Sequence, residues 1–286
     1  AAIMPSSNPA PQTSPWVKQR CELSQYTAGY IDTGGSGPVL LFLHGFFGSS
    51  ANWEPLMTSL ADRYRCMALD LLGFGDSSKP WLKYTIWHQV DFLTEFMDKL
   101  GLTQVTLAGH SYGGWTAAAY AVQQARNATD PRLKAIVLLA PAGIRDDSFV
   151  GRYTYMKPLL WETPLVDGVI AVLRPLCQLL NQPKFYQQIA QARKALTEQP
   201  VAKSFLVDRL RPEDAIDTVE NDIAAIPVPT QVIAAAQDTT IPLWHCQTYA
   251  ERIPNAEILV LPDAEHSLIQ THVMEIAIAI QAFLTR

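Results

Sequence analysis

Residues 105–114 read Val-Thr-Leu-Ala-Gly-His-Ser-Tyr-Gly-Gly, and no other stretch of the chain constrains its fold as tightly. Val105 to Ala108 is a short β-type run, and Trp115 to Gln124 is rich in helix formers. Ser111 stands between them, with a glycine two residues away on each side. A strand that becomes a helix there must reverse sharply, and glycine fits because it carries no side chain. A serine at such a reversal is lifted clear of both elements, which is how a hydroxyl nucleophile is presented. Strands that feed helices in this way build a parallel sheet covered on both faces.

The rest of the chain repeats that step. Glu22 to Tyr26 and Gly29 to Asp32 read as a leading hairpin, followed by the turn cluster Gly34 to Pro38. Val39 to Leu43 is continuously apolar, as in a strand buried on both faces. A helix is expected from Asn52, as its N-cap, to about Ala61, and a strand over Arg65 to Leu69. Val90, Leu93, Phe96, Met97 and Leu100 repeat at helical spacing within Trp87 to Leu100, and Gly101 ends that helix. Further strands are expected at Ala135 to Ala140, Thr230 to Ala236 and Glu257 to Leu261, with a closing helix over Glu275 to Leu284. The expected fold class is α/β, a mostly parallel doubly wound sheet. Residues 144–226 interrupt it with helical, proline-punctuated sequence and no convincing strand. They are expected to form a helical lid between core parts 16–143 and 227–286, after a flexible N-terminal arm over 1–15.

A serine hydroxyl needs a base, and the base needs an acid to orient it. Of six histidines, His266 alone lies in the loop after the last expected strand. His44 follows a strand and precedes Gly45. His88 and His245 fall in helices, and His272 starts the closing one. His110 adjoins Ser111, and its side chain should point away from the hydroxyl. Chemistry in a parallel sheet gathers at the carboxyl ends of strands, where both Ser111 and His266 fall. Asp238 follows Thr230 to Ala236 and is the expected acid, with Asp146 and Asp147 as the fallback. Asp70 comes too early in the chain and should instead bond amides of the glycine-rich loop after it. An oxyanion formed at Ser111 would be held by the backbone N–H groups of Tyr112 and Phe46.

These pieces together resemble the α/β-hydrolase fold superfamily, in its lid-bearing serine-hydrolase branch. The matching segments are His44-Gly45-Phe46, Asp70-x-x-Gly73-x-Gly75-x-Ser77, Gly109 to Gly114, Gln237-Asp238-x-x-x-Pro242 and His266. The order Ser111, Asp238, His266 is that of the superfamily. The resemblance implies hydrolysis of a carboxylic ester through a Ser111 acyl-enzyme, with no cofactor and no metal. Dehalogenases and epoxide hydrolases of this superfamily carry Asp at the nucleophile position, so Ser111 excludes both. Its carbon–carbon bond hydrolases usually carry Trp after the catalytic histidine, where this chain has Ser267. Carbon–carbon hydrolysis or acyl transfer on the same residues is the alternative, as is a ligand receptor on a hydrolase scaffold.

Phe47 and Trp115, with Tyr155 and Trp161 from the lid, are expected to line a pocket for a small apolar ester. The chain is 48% hydrophobic with net charge −5 and has no basic run, which argues against nucleic acid. No stretch reaches the about 18 apolar residues of a membrane span, and the N-terminus lacks a signal-peptide pattern. Met4 is read as the native start. Cys21, Cys66, Cys177 and Cys246 are far apart and form no C-x-x-C pair. They read as buried thiols in a reducing, cytoplasmic setting. A monomer or weak homodimer is expected.

Overall fold

The computed structural model describes residues 14–127, 132–149, 158–159, 161, 163–204 and 217–286. The first 13 residues of the expected arm, and Tyr155, lie outside them. Among the described residues, eight strands form one sheet. They are β1 (Gln19–Glu22), β2 (Thr27–Asp32), β3 (Val39–Leu43), β4 (Arg65–Leu69), β5 (Val105–His110), β6 (Leu133–Leu139), β7 (Thr230–Ala235) and β8 (Ala256–Leu261). Their order is β1-β2-β4-β3-β5-β6-β7-β8. β1 pairs antiparallel to β2 and β2 to β4, and every later pairing is parallel. The leading hairpin thus begins at Gln19 rather than Glu22. Leu23 N–H bonds the Tyr26 carbonyl at 2.8 Å, so residues 23–26 turn instead of extending the strand.

The helices are α1 (Glu54–Leu60), α2 (Ile86–Lys99), α3 (Tyr112–Asn127), α4 (Pro164–Leu179), α5 (Pro183–Glu198), α6 (Pro200–Lys203), α7 (Leu243–Arg252), α8 (Leu268–Thr271) and α9 (Val273–Leu284). One core lies between the sheet and α2, α3 and α7, around Phe96, Tyr120 and Tyr249. The other lies on the opposite face, around Trp53 and Leu56 of the α1 side and Ile276 and Ile280 of α9. The central strands β3, β5 and β7 are therefore buried on both faces, whereas the edge strand β8 leaves Ile258, Leu259 and Val260 exposed. α1 follows a 3-10 turn, Ser50–Trp53, whose cap is Ser49 rather than Asn52. Asn52 instead accepts the Ser49 N–H on its side-chain oxygen at 2.7 Å.

Between β6 and β7 the described residues hold α4, α5, α6 and no strand. Asp217 ties the far end of this insertion to the core. Its carboxylate accepts the Ile86 N–H at 2.7 Å, and its carbonyl accepts the Trp115 indole N–H at 3.2 Å.

The chain runs from β3 outward to β4, then returns to place β5 on the other side of β3. That reversal puts the carboxyl ends of β3 and β5 at the place where open parallel sheets bind ligands. The segments beginning at His44 and Ser111 follow those ends directly.

Candidate active site

Ser111 follows β5 directly and adopts φ 54°, a left-handed conformation that a non-glycine residue holds only when its surroundings enforce it. Its N–H bonds the Leu139 carbonyl at 3.0 Å, and its carbonyl accepts the N–H groups of Trp115 and Ala142, each at 3.0 Å. The glycines answer a close approach. A Cβ on Gly113 would stand 2.1 Å from the Leu43 carbonyl oxygen of β3, and one on Gly109 would stand 2.2 Å from the Gly113 oxygen. Helix α3 begins at Tyr112, three residues before its expected start; its first turn holds Gly113 and Gly114, whose low helix propensity hides that start in the sequence.

The three residues singled out from the sequence meet. Ser111 Oγ lies 3.1 Å from His266 Nε2, and His266 Nδ1 lies 2.7 Å from Asp238 Oδ2. Asp238 divides its work between its oxygens. Oδ1 accepts the N–H groups of Thr240 and Ile241, each at 2.8 Å, and leaves Oδ2 for the imidazole. The Asp238 side chain is 1% exposed and that of His266 26%, so the carboxylate is sealed while the imidazole remains accessible. Ser111 follows β5, Asp238 follows β7 and His266 follows β8, although 155 residues separate the serine from the histidine.

The fallback acids are engaged elsewhere. Asp146 pairs with His245 Nε2 at 2.8 Å, and Asp147 with Arg145 at 3.1 Å. Asp70 accepts the Asp76 N–H at 2.8 Å, as expected, and also the Ser50 N–H at 2.6 Å and Lys18 Nζ at 2.6 Å. Burial alone would raise the Asp70 pKa. The Lys18 ammonium and the two amides outweigh it and hold the carboxyl below its usual range.

The loop after β3 is fixed by His44, whose buried ring uses both nitrogens. Nδ1 donates to the Gly45 carbonyl at 2.7 Å, and Nε2 accepts the Leu71 N–H at 2.9 Å. Phe46 then lies flat on Tyr112, with centroids 4.5 Å apart and planes 22° apart, and Phe74 packs against both. The two residues expected to supply oxyanion amides are thus locked together by their side chains. Phe47, also expected in the pocket, holds φ 58°. Trp115 is 7% exposed, Trp161 is 61% exposed, and Tyr155 lies outside the described residues. A cavity of about 490 Å³ opens within the insertion, between α4 and α5. Ile170, Tyr186 and Arg193 line it, and none of the residues around Ser111 does.

Three further histidines are held neutral. Burial lowers the pKa of His44, and burial lowers that of His245 despite its Asp146 partner. Burial, helped by the neighbouring His266, pushes His110 down to about 3. In the unfolded chain these rings take up protons near their ordinary value of 6.5. The fold refuses them, so its stability is complete above pH 6.5 and declines as pH falls from there toward 3. His110 alone should remove about 2 kcal/mol at pH 5, at roughly 1.4 kcal/mol per pH unit. The melting temperature should therefore be level above pH 7 and fall by about 4 °C or more by pH 5. Scanning calorimetry between pH 5 and 8 checks this, and a level profile would contradict the neutral assignments.

The same architecture recurs among known proteins. The chain is 27% identical over 294 residues to 2-hydroxymuconate semialdehyde hydrolase of Pseudomonas sp. strain CF600, covering 96% of each. Its fold is similar to that of the enol-lactonase from Burkholderia xenovorans LB400, with TM-score 0.71, 20% identity and coverage of 94% of this chain and 100% of that one. It is also similar to a thermophilic esterase from Thermogutta terrifontis, with TM-score 0.70, 24% identity and coverage of 94% and 98%. The family model for the alpha/beta hydrolase fold matches residues 38–273, from just before β3 to the start of α9. With that match over most of its length, the chain belongs to the alpha/beta hydrolase fold family.

Proposed function

We propose that this protein is a serine hydrolase that cleaves a carboxylic ester carrying a substantial apolar group. The observation that carries the reading is the unbroken relay from Ser111 Oγ to His266 Nε2 at 3.1 Å and from His266 Nδ1 to Asp238 Oδ2 at 2.7 Å. Ser111 Oγ attacks the ester carbonyl carbon while its proton passes to His266 Nε2. The oxyanion that forms is held by the Phe46 and Tyr112 N–H groups, the latter also at the positive end of α3. His266 then gives its proton to the departing alkoxide as the carbon–oxygen bond breaks, which leaves the acyl group on Ser111. A water attacks the acyl carbon, His266 takes its proton, and the acid departs as Ser111 Oγ is reprotonated. Residues 144–226 act as a lid between core parts 16–143 and 227–286. Phe47, Trp115, Tyr155 and Trp161 face the apolar part of the substrate. A cytoplasmic setting fits four free, buried cysteines.

The test is labelling of Ser111 by a serine-directed aryl phosphonate, followed by turnover on a panel of aryl esters. Both are expected. Labelling without turnover of any ester would count against ester hydrolysis and favour a receptor on the same scaffold.

A second reading is carbon–carbon bond hydrolysis on the same residues. It is supported by the 2-hydroxymuconate semialdehyde hydrolase likeness over 96% of the chain. Ser267 after His266 weighs the other way, and in this chain Ser267 stands at the start of α8. Offering 2-hydroxymuconate semialdehyde and an aryl ester to the same preparation separates the two by their kcat/KM ratio.

A further inference from the structure

The residue before the nucleophile has its own contact with the base. His110 is 8% exposed, and its Nε2 lies 2.8 Å from the main-chain carbonyl oxygen of His266. The two rings stand 4.8 Å apart at their centroids, inclined by 39°. A carbonyl only accepts, so the hydrogen is on His110 Nε2. We propose that His110 is a positioning residue: by donating to the His266 backbone, the strand that carries the nucleophile also sets where the base stands.

The argument is geometric. Asp238 holds the far nitrogen of the His266 ring, and a ring held at one atom can still pivot about that bond. The reactive Nε2 is fixed only when the backbone that carries the ring is fixed as well. His266 lies in the loop after β8, whose main chain is tied to the β7 side by Gln237 N–H to the Ala264 carbonyl at 2.9 Å. The His110 bond adds a tie from β5, directly beside Ser111. Nucleophile and base thereby share one rigid support, and displacements of about 1 Å between such groups cost about 100-fold in rate. The donor also persists across the working range. His266, Asp238 and His44 are the titratable groups that act on it. Burial, with His266, keeps its pKa at about 3, so the ring neither charges nor changes its role above pH 5.

This inference rests on reading His266 as the base, and the test separates the two. His110→Leu keeps apolar bulk without a donor. His110→Asn keeps an amide too short to reach, and His110→Gln carries an amide nitrogen where Nε2 stands. We expect the Leu and Asn variants to lose about 10- to 100-fold both in kcat on an aryl ester and in the rate of Ser111 phosphonylation, with KM changed less than about threefold. His110→Gln should recover most of both rates. Wild-type rates in the Leu and Asn variants would overturn the proposal. Equal losses in all three would overturn it too, by assigning the effect to ring packing. If His110→Leu does not fold, the Asn and Gln pair makes the same comparison at matched polarity. Wild-type activity in Ser111→Ala would instead remove the underlying mechanism and leave the hydrogen bond as a structural tie.

Discussion

Ser111→Ala is expected to lower kcat by about 10⁶-fold, the size of effect seen when a triad nucleophile is removed. The loss should fall on kcat, with KM within a few-fold, because the hydroxyl contributes to bond making and little to ground-state binding. The fold should survive. Serine and alanine both carry a Cβ, so the strain at φ 54° is the same in each, and the three main-chain bonds of residue 111 do not involve its side chain. Among the described residues Ser111 Oγ bonds His266 Nε2, and the His266 side chain is 26% exposed and can turn to water. The melting temperature should therefore move by no more than a few degrees, while phosphonate labelling disappears. Steady-state kinetics beside calorimetry checks both. Wild-type turnover in this variant would end the acyl-enzyme mechanism, whereas a collapsed melting temperature would assign the lost rate to folding.

Much of this site was legible in the sequence because its parts are local. Ser111 was marked by a β-run, two glycines and a helical run within twenty residues. Asp238 and His266 were marked by following apolar strands that alternation alone defines. What stayed hidden depends on residues far apart in the chain. His110 touches a carbonyl 156 residues away, and Asp146 meets His245 across 99. A histidine beside a nucleophile and an aspartate after a strand carry no mark of such partners. Element ends differ from expectation where local geometry overrides propensity. Helix α3 begins on Tyr112-Gly113-Gly114 because the sharp reversal at Ser111 demands it, against the preference of glycine. Ser49 rather than Asn52 caps the turn before α1 because the Asn52 side chain reaches back to the Ser49 amide. The pocket was least legible. Which face Trp161 presents depends on how α4 and α5 settle, and no periodicity encodes that. The indole N–H of Trp115 donates to the Asp217 carbonyl 102 residues on, a contact that carries no mark in the sequence.

Asp238→Asn is expected to lower kcat by about 10⁴-fold while leaving the fold intact. The reason lies in how the two oxygens of Asp238 are used. Thr240 and Ile241 direct two N–H groups at Oδ1, so an asparagine must place its carbonyl oxygen there and its NH₂ where Oδ2 stood. That NH₂ faces His266 Nδ1 and donates to it, which forces the imidazole hydrogen onto Nε2. The ring then points a hydrogen at Ser111 Oγ and has no lone pair to take the serine proton. Charge is lost as well, so the imidazolium that forms during attack has no anion beside it. The rival outcome has its own signature. If Asp238 served only to hold the loop, asparagine would keep the Thr240 and Ile241 bonds and most of the activity. Nitrogen-15 spectra of the His266 ring read the tautomer directly, and Nδ1–H in the wild type with Nε2–H in the variant is the expected pair. A variant that keeps Nδ1–H, or that turns over within about tenfold of the wild type, would remove Asp238 from the mechanism, since its carboxylate would then be orienting nothing.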